Sequence, residues 1–401
     1  MHKHIVFLRN PEEPPAWGGL EKLMLDWFKR IDYNGCTVTL AVSSHWVRSF
    51  EQKLKDEKIP VNVIALPYGH KQGKVLTRFF KLFFFLHALR PSSIIFIEGW
   101  LYSFNFAEVL AGSLASGGRV YMHENLGPPM PSPKSSKRHF GILKGMGIWW
   151  HIQIYLVKFR ALISKNVLVV SKEIKEKLIT WWCYPASKVL IKYHGINLEN
   201  YHSCLGTRKK MRESLNIPQD EIVIVAASRL SKEKCVDRAL HAFEALSSRR
   251  PGMSLMILGD GVLKENLMAL TMNMSSAAKI RFMGHVDNVE DYFKMSDIYI
   301  LSSDNEGFGI ALVEAMATGL ICVATKSPGP NEIIQDGING FLVAKSVEGV
   351  LDGIQQALAL SEDRKTQMSQ EAIHFVSENF EINQRIRDVF SVLGIKGLEA
   401  V

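Results

Sequence analysis

Short apolar runs alternate with helical patterns in two successive series along this chain, and that alternation restricts the fold more than any other property of the sequence. The first series has strand-like runs at residues 4–8, 36–42, 61–66, 93–97, 120–123 and 167–170. The second has them at 222–227, 254–258, 280–283, 298–301 and 322–324. Strands that alternate with helices predict parallel sheets joined by right-handed crossovers, an α/β architecture. Between the series, 193–201 is turn-rich and contains His194, Gly195 and Asn197. With 401 residues the chain exceeds the roughly 250–300 residues at which single cores stop growing, so two domains are expected, meeting near residue 200. A final helical pattern covers 375–393, with Phe380, Ile382, Ile386, Val389 and Phe390 as its apolar members.

Apolar residues make up 47 % and charged residues 22 %, which excludes global disorder. The net charge of +8 leaves open a merely basic surface or an acidic partner: nucleic acid, an anionic lipid surface or a phosphorylated small molecule. Nucleic acid is disfavoured, because no helix-turn-helix, finger or RNA-binding aromatic signature is present. Five cysteines without CxxC spacing point to a reducing, cytoplasmic compartment. The N-terminal apolar run is too short for a signal peptide, and no stretch matches a spanning helix. Two segments combine aromatic and basic residues. Residues 76–89 carry Phe79, Phe80, Phe83, Phe84 and Phe85 with Arg78 and Lys81, and 134–165 carries Trp149, Trp150, Tyr155 and Phe159 among cations. Each is either an internal helix of the first domain or a peripheral contact with the inner face of a membrane.

The segment EGFGIALVEAMATG carries the chemistry. Glu306 lies in a Gly-rich turn after the run 298–301, and Glu314 falls within the apolar-periodic stretch beyond it. Ile310, Val313, Glu314 and Ala317 share one helical stripe, so Glu314 needs a partner. Gly307 and Gly309 allow close approach of a ligand, and the free N–H groups of a helix start favour an anion. Two carboxylates on either side of an anion site outline a nucleotide sugar: hydroxyl, phosphate, hydroxyl. Arg229 and Lys234, five apart in the loop SRLSKEKC at the carboxyl end of a strand, suit a diphosphate, since one offers a planar fork and the other a compact charge.

Taken in order, Arg229 to Lys234, Leu258-Gly259-Asp260-Gly261, Phe282-Met283-Gly284-His285-Val286, Ser296-Asp297, EGFGIALVEAMATG, Gly329-Pro330-Asn331-Glu332-Ile333-Ile334 and Asp336-Gly337-Ile338-Asn339-Gly340-Phe341 resemble the retaining glycosyltransferases of family 4, glycosyl transferases group 1. The first half agrees more loosely, through Gly18-Gly19-Leu20-Glu21, His123 and Val169-Val170-Ser171. The resemblance implies the GT-B fold: two Rossmann-like domains facing each other across a central cleft. Residues 1–200 would be the acceptor side, residues 201–375 the donor side, and a C-terminal helix at about 376–401 would pack back on the first domain. It also implies that Glu314 binds the ribose and Glu306 the donor sugar, with His123 facing that sugar from the acceptor side. Arg229 and Lys234 would neutralise the departing diphosphate. Gly18, Gly19, Phe308, Gly309, Gly259, His285 and Val286 would line the donor.

The expected reaction moves a hexose-type sugar from a nucleoside diphosphate sugar, with a weak lean to UDP, to a glycan or lipid-linked acceptor in cell-surface polysaccharide or lipopolysaccharide assembly. The resemblance implies retention at the anomeric carbon, and front-face departure of the diphosphate is the route expected because no nucleophile pair emerges beyond Glu306 and Glu314. No Asp-x-Asp element stands where it could hold a bridging metal, so no metal or other cofactor is expected. An epimerase or phosphorylase on the same fold, and a non-catalytic assembly subunit, are the alternatives. Three positions depart from the family pattern. Ser228 and Cys235 stand where glycine is usual, which questions the loop conformation, and His194 replaces an Asn as a residue able to take a left-handed turn.

Overall fold

The computed structural model describes residues 2–10, 17–68, 75–98, 106–125, 156, 158–201 and 205–398. They form two compact units, Met1–Tyr193 with Ile386–Val401, and His194–Arg385.

In the first unit the described strands are β1 (Lys3–Arg9), β2 (Cys36–Val42), β3 (Val61–Ala65), β4 (Ser93–Glu98), β5 (Val120–Glu124), β6 (Asn166–Val169) and β7 (Val189–Ile191). They form one parallel sheet in the order β3-β2-β1-β4-β5-β6-β7. Central strands β1 and β4 are apolar and buried through their middles, Ile5, Val6, Phe7 and Leu8 and Ile94, Ile95, Phe96 and Ile97, as a sheet covered on both faces requires, whereas the edge strand β3 is half-exposed. The helix Val75–Leu89 buries only Leu82 and Leu86, while Leu76, Phe80 and Phe84 are more than half exposed. An internal helix at 76–89 is therefore not what forms. Most of the other aromatic basic segment, 134–165, lies outside the described residues.

The second unit repeats the plan with β8 (Ile222–Ala227), β9 (Met253–Leu258), β10 (Ile280–Gly284), β11 (Ile298–Leu301), β12 (Ile321–Thr325) and β13 (Phe341–Val343), parallel and ordered β10-β9-β8-β11-β12-β13. Strands β7 and β13 have no counterpart in the sequence expectation. At three residues each they carry too little periodicity to be distinguished from a loop.

The helix expected over 375–393 is two helices, Glu362–Phe380 and Ile382–Leu393. The break is made by pairing: the Ile196 N–H donates to the Phe380 carbonyl and the Ile382 N–H to the Ile196 carbonyl. Gly195 permits this approach, since a Cβ there would stand 2.5 Å from Ile382 Cα. His194, a residue able to take a left-handed turn, does not take one: it is absent from the described non-glycine residues with positive φ. Its ring is buried edge-on against Phe308 at 5.2 Å between centroids. Within the second helix, from Ile386 on, the chain belongs to the first unit, where Gly397 bridges Ile31 and Lys396 pairs with Asp32 at 3.0 Å.

Candidate functional site

Strand order in the second unit reverses between β8 and β11, which pair directly through Ile224 with Ile298 and Val225 with Tyr299. Loops leaving the carboxyl ends of two such strands diverge and open a crevice, the usual ligand position in an open α/β sheet. The loop after β8 carries exposed Arg229 and then the turn Lys232–Lys234; the loop after β11 carries Glu306. The two meet in an ion pair, Lys234 Nζ to Glu306 Oε2 at 2.7 Å, with side chains 17 % and 13 % exposed. Ser303 Oγ lies 3.4 Å from the same carboxylate oxygen and donates to it. Further bonds stitch the loops together. Ser302 Oγ donates to the carbonyls of Lys234 and Cys235, and the Asp304 N–H donates to the Glu233 carbonyl.

Cys235 adopts φ 46° and ψ 47° at the junction with helix Val236–Ser247. That left-handed conformation is the physical reason glycine suits the position, and here a cysteine holds it under strain. Ser228 is not strained in this way, having no positive φ. Its carbonyl instead restricts its neighbour: a Cβ on Gly259 would lie 2.0 Å from Ser228 O.

Beyond Glu306 the chain turns through Phe308 and Gly309 into helix Ile310–Ala317. Gly309 has φ 97°, closed to most side chains, and precedes the N–H groups of that helix start. The Phe308 ring is buried between His194 and Phe380, so its contribution to a ligand site is its backbone. Gly329 packs against that backbone and donates its N–H to the Glu306 carbonyl at 2.9 Å. Glu314, on the helix, accepts a 2.6 Å hydrogen bond from the Tyr201 hydroxyl, so the partner demanded by its apolar stripe is a residue 113 positions away.

Gly259 and Gly284 close β9 and β10, and the Gly259 N–H donates to the Gly284 carbonyl at 2.7 Å. His285 is exposed beside Asp287 at 3.7 Å, and Val286 follows half-buried. The same edge of the sheet also carries the pair Lys264–Asp260 at 2.8 Å.

In the first unit, Gly18 caps helix Gly19–Lys29 with extended backbone, and its N–H donates to Glu21 Oε2 at 3.2 Å. Glu21 is buried and paired with Arg9 at 3.0 Å, which ties the glycine turn to the end of β1. His123, in β5, is fully buried, edge-on to Trp27 at 5.1 Å and 3.1 Å from the Asn125 amide nitrogen. Burial drives its pKa down to about 3, so the ring is neutral near pH 7. The imidazole that the resemblance directs at a sugar is enclosed in this structure. Next to it Glu124 is buried too, 3.7 Å from Arg160, which also pairs with Glu98. Desolvation pushes the Glu124 carboxyl up to about 7 and raises that of Glu98 well above the carboxylate range, against the lowering effect of the guanidinium. Ser171 is a helix cap, accepting from the Ile174 N–H at 3.3 Å. Among the described residues no group of three or more His, Cys, Asp or Glu side chains is placed to hold a metal ion.

Sequence reasoning thus located the loops but missed Tyr201, Ser303, Arg160 and the work of Glu21. Tyr201 and Arg160 act across long sequence separations. Only Glu21 left a local sign, an acid three residues after the cap position.

Residues 207–375 match the model for the family described as glycosyl transferases group 1. The chain is 31 % identical over 149 residues to the lipopolysaccharide core biosynthesis glycosyltransferase LpsE of Rhizobium meliloti, covering 37 % of this chain and 43 % of that protein. It is 29 % identical over 217 residues to the lipopolysaccharide 1,2-N-acetylglucosaminetransferase of Salmonella typhimurium, covering 51 % and 56 %. The chain spans about half the length of the curated relatives it matches. Among solved structures, Anabaena HepE in complex with UDP and glucose superimposes with a TM-score of 0.76 at 19 % identity, covering 98 % of this chain and 100 % of that one. WaaG, a glycosyltransferase involved in lipopolysaccharide biosynthesis, gives 0.71 at 13 % identity over 97 % and 100 %. Both likenesses concern the fold, the pair of Rossmann-like α/β domains of GT-B glycosyltransferases. Residues 207–375, within the second unit, are thus similar to the glycosyl transferases group 1 family.

Proposed function

We propose that this protein transfers a hexose-type sugar from a nucleoside diphosphate sugar, UDP-linked by preference, to a hydroxyl of a glycan or lipid-linked acceptor with retention at the anomeric carbon. The observation that carries the proposal is the Lys234–Glu306 pair at 2.7 Å, set between the two strands where the sheet order reverses. A cation and a carboxylate held in one crevice match the two ends of the bond to be broken: Lys234, with Arg229 on the same loop, toward the leaving diphosphate, and Glu306 toward sugar hydroxyls. Negative charge develops on the diphosphate as it departs, so preorganised cations stabilise the transition state more than the ground state. A diphosphate oxygen on the same face then takes the acceptor proton. Glu314 grips the ribose, and the amides around Phe308 and Gly309 lie against the phosphates. Gly259, His285 and Val286 complete the donor wall. No metal is required.

The relatives named for lipopolysaccharide assembly support an acceptor of that class. The exposed Leu76, Phe80 and Phe84 of helix Val75–Leu89, beside exposed Lys81, support contact with an anionic membrane surface. Vesicle co-sedimentation that ignored anionic lipid and salt would count against that contact. The activity itself is tested by release of nucleoside diphosphate with and without acceptor. Release that needs acceptor, and that falls by orders of magnitude in Lys234→Ala and Glu306→Ala, is the expected result. Unchanged turnover in both variants would sink the assignment.

A further inference from the structure

Tyr201 closes the short turn Leu198–Tyr201, just after the second unit begins at His194. Its side chain is 6 % exposed, and its hydroxyl reaches Glu314 Oε1 at 2.6 Å. The distance is that of a charge-assisted O–H···O⁻ bond, the stronger kind. Glu314 sits among buried neighbours, Leu312, Val313, Ala315 and Met316, on a helix of 8 residues, so its backbone is well anchored. Its side chain is a different matter. Glutamate has three side-chain torsions, and nothing in the helix itself chooses among their settings. A tyrosine has two, and this one is packed, so the phenol is the more rigid partner of the pair. A carboxylate offers about four lone-pair positions, so one bond from Tyr201 does not exhaust it.

We infer that Tyr201 is a positioning residue for the ribose end of the donor: its hydroxyl locks the Glu314 carboxylate in the orientation that accepts the ribose hydroxyls. The inference rests on the proposed role of Glu314 and adds to it a residue from the segment that follows the unit boundary. It also makes a separable claim. Removing the phenol oxygen weakens recognition of the ribose diol and nothing else about the donor.

The test measures binding of whichever of UDP, GDP and ADP most raises the melting temperature, alongside its 2′,3′-dideoxy counterpart, by calorimetry. Wild type should prefer the ribonucleotide. Tyr201→Phe keeps the ring and its packing, and should shrink that preference by about 10- to 150-fold, the scale of one hydrogen bond to a charged group. Affinity for the dideoxy nucleotide should stay at the wild-type value, and in turnover KM for the donor should rise with kcat unchanged. In a Glu314→Gln background, Tyr201→Phe should cost little further preference, because the two residues act as one unit. A Tyr201→Phe protein with the wild-type ratio overturns the inference while leaving Glu314 at the ribose. Equal wild-type affinity for the two nucleotides, or no stabilisation by any of the three, overturns the ribose assignment and the inference with it. A fall in affinity for both nucleotides alike marks a merely structural tyrosine and overturns the inference alone.

Discussion

Replacing Gly329 by alanine puts the close approach beneath the Glu306 loop to a direct test. The backbone of Gly329 has φ −68° and ψ −58°, ordinary for alanine. By its own conformation the change should stabilise the protein by about 0.4–1 kcal/mol, through a smaller unfolded ensemble. Its surroundings reverse the sign. The added Cβ would stand 2.0 Å from the Phe308 carbonyl oxygen, 2.4 Å from its carbonyl carbon and 2.5 Å from its Cα. Comfortable contact begins at about 3.5 Å, so two backbone segments must part by more than about 1 Å. Overpacking of this kind costs about 1–3 kcal/mol, which leaves a net loss of about 1–2 kcal/mol. In a unit of this size that lowers the melting temperature by about 2–8 °C. The segment displaced is the one whose Glu306 carbonyl accepts the Gly329 N–H at 2.9 Å. A shift of about 1 Å in a positioning group costs about 100-fold in rate, so turnover should fall further than stability alone explains. Scanning calorimetry and acceptor-dependent release of nucleoside diphosphate provide the two readouts. A Gly329→Ala protein as stable as wild type, turning over within about threefold of it, would refute the reasoning.

At Cys235, glycine relieves a left-handed residue, worth about 1–2 kcal/mol, against a backbone entropy cost of about 0.5–1 kcal/mol. Cys235→Gly should therefore raise stability by up to about 1.5 kcal/mol in urea unfolding, and a clear loss would contradict the strain. Glu124, its carboxyl raised from 4.5 to about 7, holds a proton when folded that it releases when unfolded, so its contribution is present below about 4.5 and lost as pH rises through 7. His123 opposes it: with a ring pKa lowered from 6.5 to about 3, the folded state loses stability as pH falls through that interval. Glu124→Gln should reduce the first slope, which the raised carboxyl of Glu98 shares, improving the urea midpoint at pH 8 relative to pH 5, and an unchanged pH profile would exclude a titrating Glu124. Transfer should proceed undiminished in chelator, whereas activity lost there and restored by Mn²⁺ or Mg²⁺ would contradict the proposed role of Arg229 and Lys234 in place of a metal.

Much of the architecture was legible because burial leaves a local trace. A central parallel strand must be apolar along its length, and Ile5, Val6, Phe7 and Leu8 or Val223, Ile224 and Val225 announce themselves that way. The loops of the candidate site were legible for a similar reason, since Arg229, Lys234 and Glu306 stand next to such runs at carboxyl ends. Even the doubt about Cys235 was well placed, because glycine preference at a position reports a φ that other residues resist.

The sequence by itself determined the repeated strand and helix order, the strand ends that carry the charged residues, and the need of Glu314 for a partner. Only the tertiary structure decided who that partner is, because the bond from Tyr201 joins residues 113 positions apart and leaves no periodicity behind. It also decided that Lys234 pairs with Glu306 and that the Phe308 ring is buried, leaving its backbone to a ligand. His123 shows the same division: its place at a strand end is written in the chain, but its enclosure depends on Trp27 and on a sheet assembled from distant segments. Spacing records which face a residue shares with its near neighbours, whereas contact, burial and charge state depend on what the rest of the chain brings against that face.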